Sequence, residues 1–172
     1  MTREPVRRLL SVVGVGVLAS CLALPQALGA TTASERFAAT FTESNQSVTN
    51  RMTDLGVFQL INTGSGTFGP YGPATVVLAM SQDRSVEPCG PGSWTNAGTR
   101  RITLRAGVLI LRETAEVCDT EIGFVGRGIW TVDGASSTGP FAGARGGGRI
   151  GVYLPARMTT LWGTLKLRFG ST

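Results

Sequence analysis

From Ala33 onward the chain alternates apolar and polar residues in twos, not in the threes and fours of a helix. Phe37, Ala39 and Phe41 fall on one side of an extended segment, with Arg36, Ala38, Thr40 and Thr42 on the other. Leu55–Asn62 and Ala74–Ser81 read as the next strands, the second nearly continuous in apolar residues. Arg101, Thr103 and Arg105 alternate with Ile102 and Leu104, and after Gly107 the run GVLILRET reads as the return arm of a hairpin. Glu121–Asp133 and Gly148–Leu154 follow. The cleanest alternation is the last: Leu161, Gly163, Leu165, Leu167 and Phe169 share one face, and Trp162, Thr164, Lys166 and Arg168 the other. Seven or eight short strands separated by Gly-containing turns predict an all-β sandwich or barrel. No window after residue 33 carries a helical stripe.

The beginning of the chain has a different pattern. Met1–Arg8 is basic, with three Arg against one Glu, and Leu9–Leu24 is apolar and uncharged. Pro25 breaks that run, and Ala27, Gly29 and Ala30 supply small residues. This is the order of a secretory signal, expected to be cleaved after Ala30, and it leaves residues 31–172 as one domain. A membrane-spanning helix needs about 20 apolar residues, and no run in the chain is that long. Leu18-Ala19-Ser20-Cys21 also matches the bacterial lipobox, in which Cys21 would carry a lipid. Against lipidation, Leu22–Leu24 continue the apolar run where a polar tether belongs. Arg7-Arg8-Leu9-Leu10 resembles a twin-arginine signal, but an ordinary positive leader explains it as well. The expected location is secreted or extracytoplasmic, with a lipid anchor at the envelope as the alternative.

Export changes how cysteine and charge are read. Beyond the leader only Cys89 and Cys118 remain, and two cysteines in an exported protein predict one disulfide. The full chain has 16 basic and 11 acidic residues; with the leader's three Arg and one Glu set aside, 13 face 10. Those charges are scattered, Arg100-Arg101 being the one adjacent basic pair, so no basic stripe points to nucleic acid. There is no His at all. Ser-His-Asp and Cys-His catalysis and His-ligated metal sites are therefore excluded within one chain.

Glycine is abundant, with 24 residues. Gly64–Gly69 and Gly146–Gly151 both fit GxGxxG, yet neither opens a helix, so neither can aim a helix N-terminus at a dinucleotide. Gly126 and Gly128 lie on the predicted face that also carries Phe124, Trp130 and Val132. Two readings fit them: sharp coiling of a closed barrel, or volume left for a ligand beside Trp130.

The segment Ser137-Thr138-Gly139-Pro140-Phe141-Ala142-Gly143-Ala144-Arg145-Gly146-Gly147-Gly148 resembles the GTGxFxGAxGxG turn-and-strand of allene oxide cyclase-like and dirigent-like β-barrels. Gly64–Thr67 with Gly69 and Gly72–Thr75 is similar to the early hairpin of small bacterial barrels of that type. Pro140 departs from the pattern, which has a polar or basic residue there. The resemblance implies a single antiparallel barrel of about eight strands with a mostly apolar interior, working without metal or organic cofactor. It carries over no catalytic residue, and fold alone does not define activity.

The remaining chemistry is carboxylate-based. Arg112 and Glu113 end an apolar strand, so one of them is expected to point inward, where a buried Glu113 could serve as a general base. Glu113, Glu116, Asp119 and Glu121 surround Cys118 without matching any calcium loop. The leading expectation is a secreted barrel that binds a small apolar or aromatic molecule without transforming it. Its candidate lining is Phe124, Gly126, Gly128, Trp130, Arg112 and Glu113. The alternatives are a cofactor-free cyclase, isomerase or dirigent-like protein, and an interaction protein of the envelope using an outward Trp162.

Overall fold

The structure, a computed structural model, describes residues 31–49 and 57–169. The expected leader and Cys21 lie outside the described residues. Eight strands form a closed antiparallel barrel in chain order: β1 (Thr31–Thr49), β2 (Val57–Phe68), β3 (Pro73–Asp83), β4 (Trp94–Leu104), β5 (Gly107–Cys118), β6 (Val125–Val132), β7 (Arg145–Tyr153) and β8 (Met158–Phe169). Pairing of β1 with β8, from Thr31↔Phe169 to Thr42↔Met158, closes the ring. Closure leaves no unpaired sheet edge among these strands. Of the sandwich or barrel that the alternation allows, the barrel, which the motif resemblance also implies, is the fold observed.

The strands differ from the sequence reading mainly at their ends. β2 runs on to Phe68, so Gly64 and Gly66 of the first GxGxxG lie inside a strand, and a three-residue 3-10 turn, Gly69–Tyr71, follows. β6 starts at Val125, not Glu121, because the chain turns at Gly123, whose φ of 98° is in the region that favours glycine.

Alternation places one side-chain set of each strand in the barrel, and along its axis the interior divides in two. At the end holding the β2–β3, β4–β5 and β6–β7 connections the interior is solid with aromatic rings. Phe37 packs on Phe68 (ring centroids 4.6 Å apart) and on Trp130 (5.2 Å), and Tyr71 meets Phe141 edge-on at 5.1 Å. Trp130 is seated over two glycines; a Cβ at Gly148 would lie 2.7 Å from its Cζ2, and one at Gly163 would crowd the same atom. Its Nε1 donates to the Arg149 carbonyl at 3.0 Å.

The Ser137–Gly148 segment forms the plug of this end. Ser137 Oγ accepts from the Ile110 amide at 2.9 Å and donates to the Asp133 carbonyl at 2.8 Å. A short 3-10 turn, Gly139–Phe141, then drops the fully buried Phe141 into the barrel. Tyr71 O–H donates to Glu35 Oε2 at 2.7 Å. Burial, then the bond and charge of Glu35, push the Tyr71 phenol well above its ordinary range.

At the opposite end Cys89 and Cys118 form a disulfide with Cα atoms 5.5 Å apart, the ordinary separation for the bond. It ties the β3–β4 connection to the end of β5. No helix among the described residues is long and apolar enough to cross a membrane.

Candidate functional site

The disulfide end of the barrel is hollow. A cavity of about 240 Å³ lies between the mouth and the middle of the barrel. That is near the small end of the range for ligand pockets, about 300–1,000 Å³. Its walls mix apolar side chains, Leu60, Leu78, Met80, Trp94, Ile150 and Val152 among them, with nearly as much polar surface.

Three charged side chains form its floor. Arg100 is fully buried, and Glu43 and Glu113 are 7% and 8% exposed. Arg100 Nε and Nη2 donate to Glu113 Oε2 and Oε1 at 2.8 and 2.9 Å, a bidentate pair. Arg100 Nη1 donates to Glu43 Oε1, and the guanidinium carbon lies 6.0 Å from the Phe41 ring centroid. Burial opposes the Arg100 charge, but the facing charges of Glu113 and Glu43 and their hydrogen bonds outweigh it. Arg100 is therefore held above its ordinary range and remains a cation.

The register explains how three charged side chains fit inside. Glu43 pairs across β1–β2 with Gly64, and Glu113 across β4–β5 with Gly98, so each carboxylate faces a glycine. A Cβ at Gly64 would lie 2.9 Å from Cγ of Glu43. Glycine at that position is part of what makes room for the cluster.

Nearer the mouth, polar side chains and the cation Arg84 join the apolar ones in the wall. Asn62 and Asn96 follow Gly64 and Gly98 in the inward-facing series, one step closer to the opening, and Oδ1 of each is buried without a hydrogen-bond partner. With its amide oriented to satisfy both donors, Gln82 accepts from Trp94 Nε1 at 2.9 Å and from Arg84 Nε at 3.3 Å. Arg84 itself lies over the rings of Phe58 and Trp94, 5.5 and 5.1 Å from their centroids. Phe124 packs on Trp94 at 5.0 Å, behind the cavity wall.

Of the six residues expected to line a ligand, Glu113 is the one in this wall. Arg112 differs from the expectation: it points outward, with its side chain 69% exposed, and Nη2 donates to Asp133 Oδ2 at 2.7 Å. The parity of a strand sends neighbouring residues to opposite faces, so Glu113 inside requires Arg112 outside. Trp130 belongs to the solid half. Gly128 backs onto the Thr114 and Ala115 backbone, and Gly126 lies beside Val152, where a Cβ would meet Val152 Cβ at 3.0 Å. These two glycines do not line this cavity; both border the larger depression described below. Glu43, Arg100, Asn62 and Asn96 are the site residues that the sequence reading missed.

The acidic cluster around Cys118 is split by the same parity, Glu113 facing in and Glu116 out. Among the described residues no group of three or more Cys, Asp or Glu could hold a metal ion. A larger depression, about 1180 Å³, lies on the outer face over β4–β8, beside Ile129, Tyr153, Met158 and Trp162. Its charged side chains, Glu116, Arg127 and Arg149, are all exposed. The enclosed interior, with buried charges on its floor, is the stronger candidate.

No protein-family model and no curated protein matches the chain. Among solved structures it is similar to one described as a nonspecific heme-binding cyclase that catalyzes a cycloaddition during neoabyssomicin biosynthesis. The TM-score is 0.42 and the identity 15%, over 80% of this chain and 64% of that one. It is also similar to a Diels Alderase from Streptomyces koyangensis, with TM-score 0.43 and 14% identity over 83% of this chain and 70% of that one. This chain thus spans less than two thirds of the first. At these values the likeness concerns the barrel and carries no site residue across.

Proposed function

We propose that the protein is an extracytoplasmic barrel that binds one small molecule, mostly apolar with a polar head, in the cavity between the mouth and Arg100. The observation that carries the reading is a buried charged cluster set at the floor of a cavity whose walls are part apolar and part polar. A cluster serving stability alone is a poor investment, because desolvating charges offsets most of their attraction. The disulfide supports an oxidising compartment, in keeping with the signal-like leader. Membership in the allene oxide cyclase-like and dirigent-like group remains part of the proposal, resting on the Ser137–Gly148 motif.

Isothermal titration with small neutral amphiphiles, such as benzyl alcohol, tests the reading, with Val152→Phe as the cavity-filling control. Saturable one-to-one binding that Val152→Phe abolishes without unfolding is expected. Binding unchanged in that variant would place the ligand elsewhere.

A second reading, a cofactor-free cyclase or isomerase, is favoured by one feature: Glu43 and Glu113 face the same space that a ligand would occupy. In that case a carboxylate would move a proton while the apolar side chains of the wall hold the reacting conformation. Turnover of a bound polyene or epoxide, lost in both Glu43→Gln and Glu113→Gln, would distinguish catalysis from binding.

A further inference from the structure

We propose that the cavity selects a small primary amine, bound as its ammonium, with an apolar body directed toward the mouth. This rests on the ligand-binding reading above and names the chemical class of the ligand. The argument begins with charge. Among the described residues four ionisable side chains line the cavity: Glu43, Glu113, Arg100 and Arg84. Arg84 is exposed at the mouth and stacked on Phe58 and Trp94, which leaves two carboxylates and one guanidinium at depth. Arg100 spends two donor nitrogens on Glu113 and one on Glu43. In formal charge two carboxylates face one guanidinium, so the floor has one negative charge more than it neutralises. An uncompensated charge away from water is costly, and a cation in contact relieves it.

The uncharged groups point the same way. The two unpartnered polar atoms in this wall are both acceptors, Asn62 Oδ1 and Asn96 Oδ1. Each belongs to the inward-facing residue immediately mouthward of the glycine opposite a floor carboxylate: Asn62 follows Gly64, which faces Glu43, and Asn96 follows Gly98, which faces Glu113. The unmet demand therefore lies on the mouth side of the two glycines that face the carboxylates, Asn62 on β2 and Asn96 further along β4. An ammonium brings one positive charge and three N–H donors. Those donors match the acceptors on offer, the floor carboxylates and the unpartnered Asn oxygens. An alcohol supplies a single donor and no charge, and a carboxylate adds repulsion. Beyond these acceptors Leu60, Met80, Val152 and Leu154 leave an apolar volume for the ligand body.

The test is titration calorimetry at pH 7 on the full chain with three molecules of nearly one shape: benzylamine, benzyl alcohol and benzoate. Benzylamine should bind at least tenfold tighter than benzyl alcohol, and benzoate should give no saturable heat. Glu43→Gln, which leaves Arg100 its bidentate partner Glu113, should weaken benzylamine at least tenfold and by more than it weakens benzyl alcohol. Asn62→Leu should weaken benzylamine severalfold. The comparison on the unmodified protein stands even if a variant fails to fold. Benzyl alcohol binding as tightly as the amine, or benzoate binding best, would overturn the amine assignment and leave the binding reading standing. Silence from all three would overturn both.

Discussion

The two halves of this barrel are built from the same strands, yet one is solid and the other hollow. In the plugged half, Phe37, Phe68, Trp130 and Phe141 interlock, and glycines at 148 and 163 make space that Trp130 fills. In the open half, Gly64 and Gly98 stand opposite charged groups, and the space beyond stays empty. Glycine thus serves opposite ends of the barrel in different ways: as a seat for a large ring, and as clearance for a charge. Eight strands give an interior that side chains can just fill or that can hold one small ligand. Here both outcomes occur in a single barrel.

The contrast can be broken most severely at its two centres. Trp130→Ala should cost about 3–5 kcal/mol, read by urea denaturation, because the plugged half cannot collapse around the void. Met80→Ala, in the wall of an existing cavity, should cost no more than about 2 kcal/mol in the same measurement. Equal losses would mean that the two halves are equally packed.

Arg100→Met should cost about 3–5 kcal/mol, since two buried carboxylates lose the guanidinium that pairs with both. Adding Glu43→Gln and Glu113→Gln should recover much of that loss. If the triple variant is no better than Arg100→Met, the damage is one of shape and not of charge.

Next in size is the disulfide at the open end. Replacing Cys89 and Cys118 together by Ser removes a crosslink across 29 residues, which should lower stability by about 3 kcal/mol. Ligand binding at the neighbouring cavity should weaken along with it, as the mouth loses its tie.

The smallest effect belongs to Arg112, one residue from Glu113 in sequence and on the other side of the wall. Its bond to Asp133 holds that carboxyl below the ordinary range. Whatever the pair contributes is present above the unfolded carboxylate's pKa and is lost as pH falls through the folded one. Arg112→Ala should move the Asp133 titration, followed by NMR, back toward its ordinary value and leave the denaturation midpoint unchanged. A large loss of stability would contradict the division between buried and surface ion pairs.

Much of this architecture is legible in the sequence. The parity of Phe37, Ala39 and Phe41, and of Leu161, Leu165 and Leu167, gives the inner face directly, and these residues are buried. The site is harder to see because it obeys that parity with the wrong kind of residue. Continuing Phe37-Ala39-Phe41 by one step reaches Glu43, and stepping back from Ile102 reaches Arg100. Both are charged, so the apolar pattern stops there and a strand is ended early. The signal was present in spacing, not in polarity. That the two would meet Glu113 needed closure of the ring, since β1 and β5 are separated by three strands on either side.

Pairing of Thr31 with Phe169 has a practical consequence. The described chain enters and leaves the barrel at its plugged end, so a tether fused to either side would hang from the face opposite the mouth. Held on a surface by such a tether, the molecule would present Trp94, Arg84 and the cavity entrance to solution. Surface-based binding assays can therefore be built from either terminus of the described chain without covering the opening they interrogate.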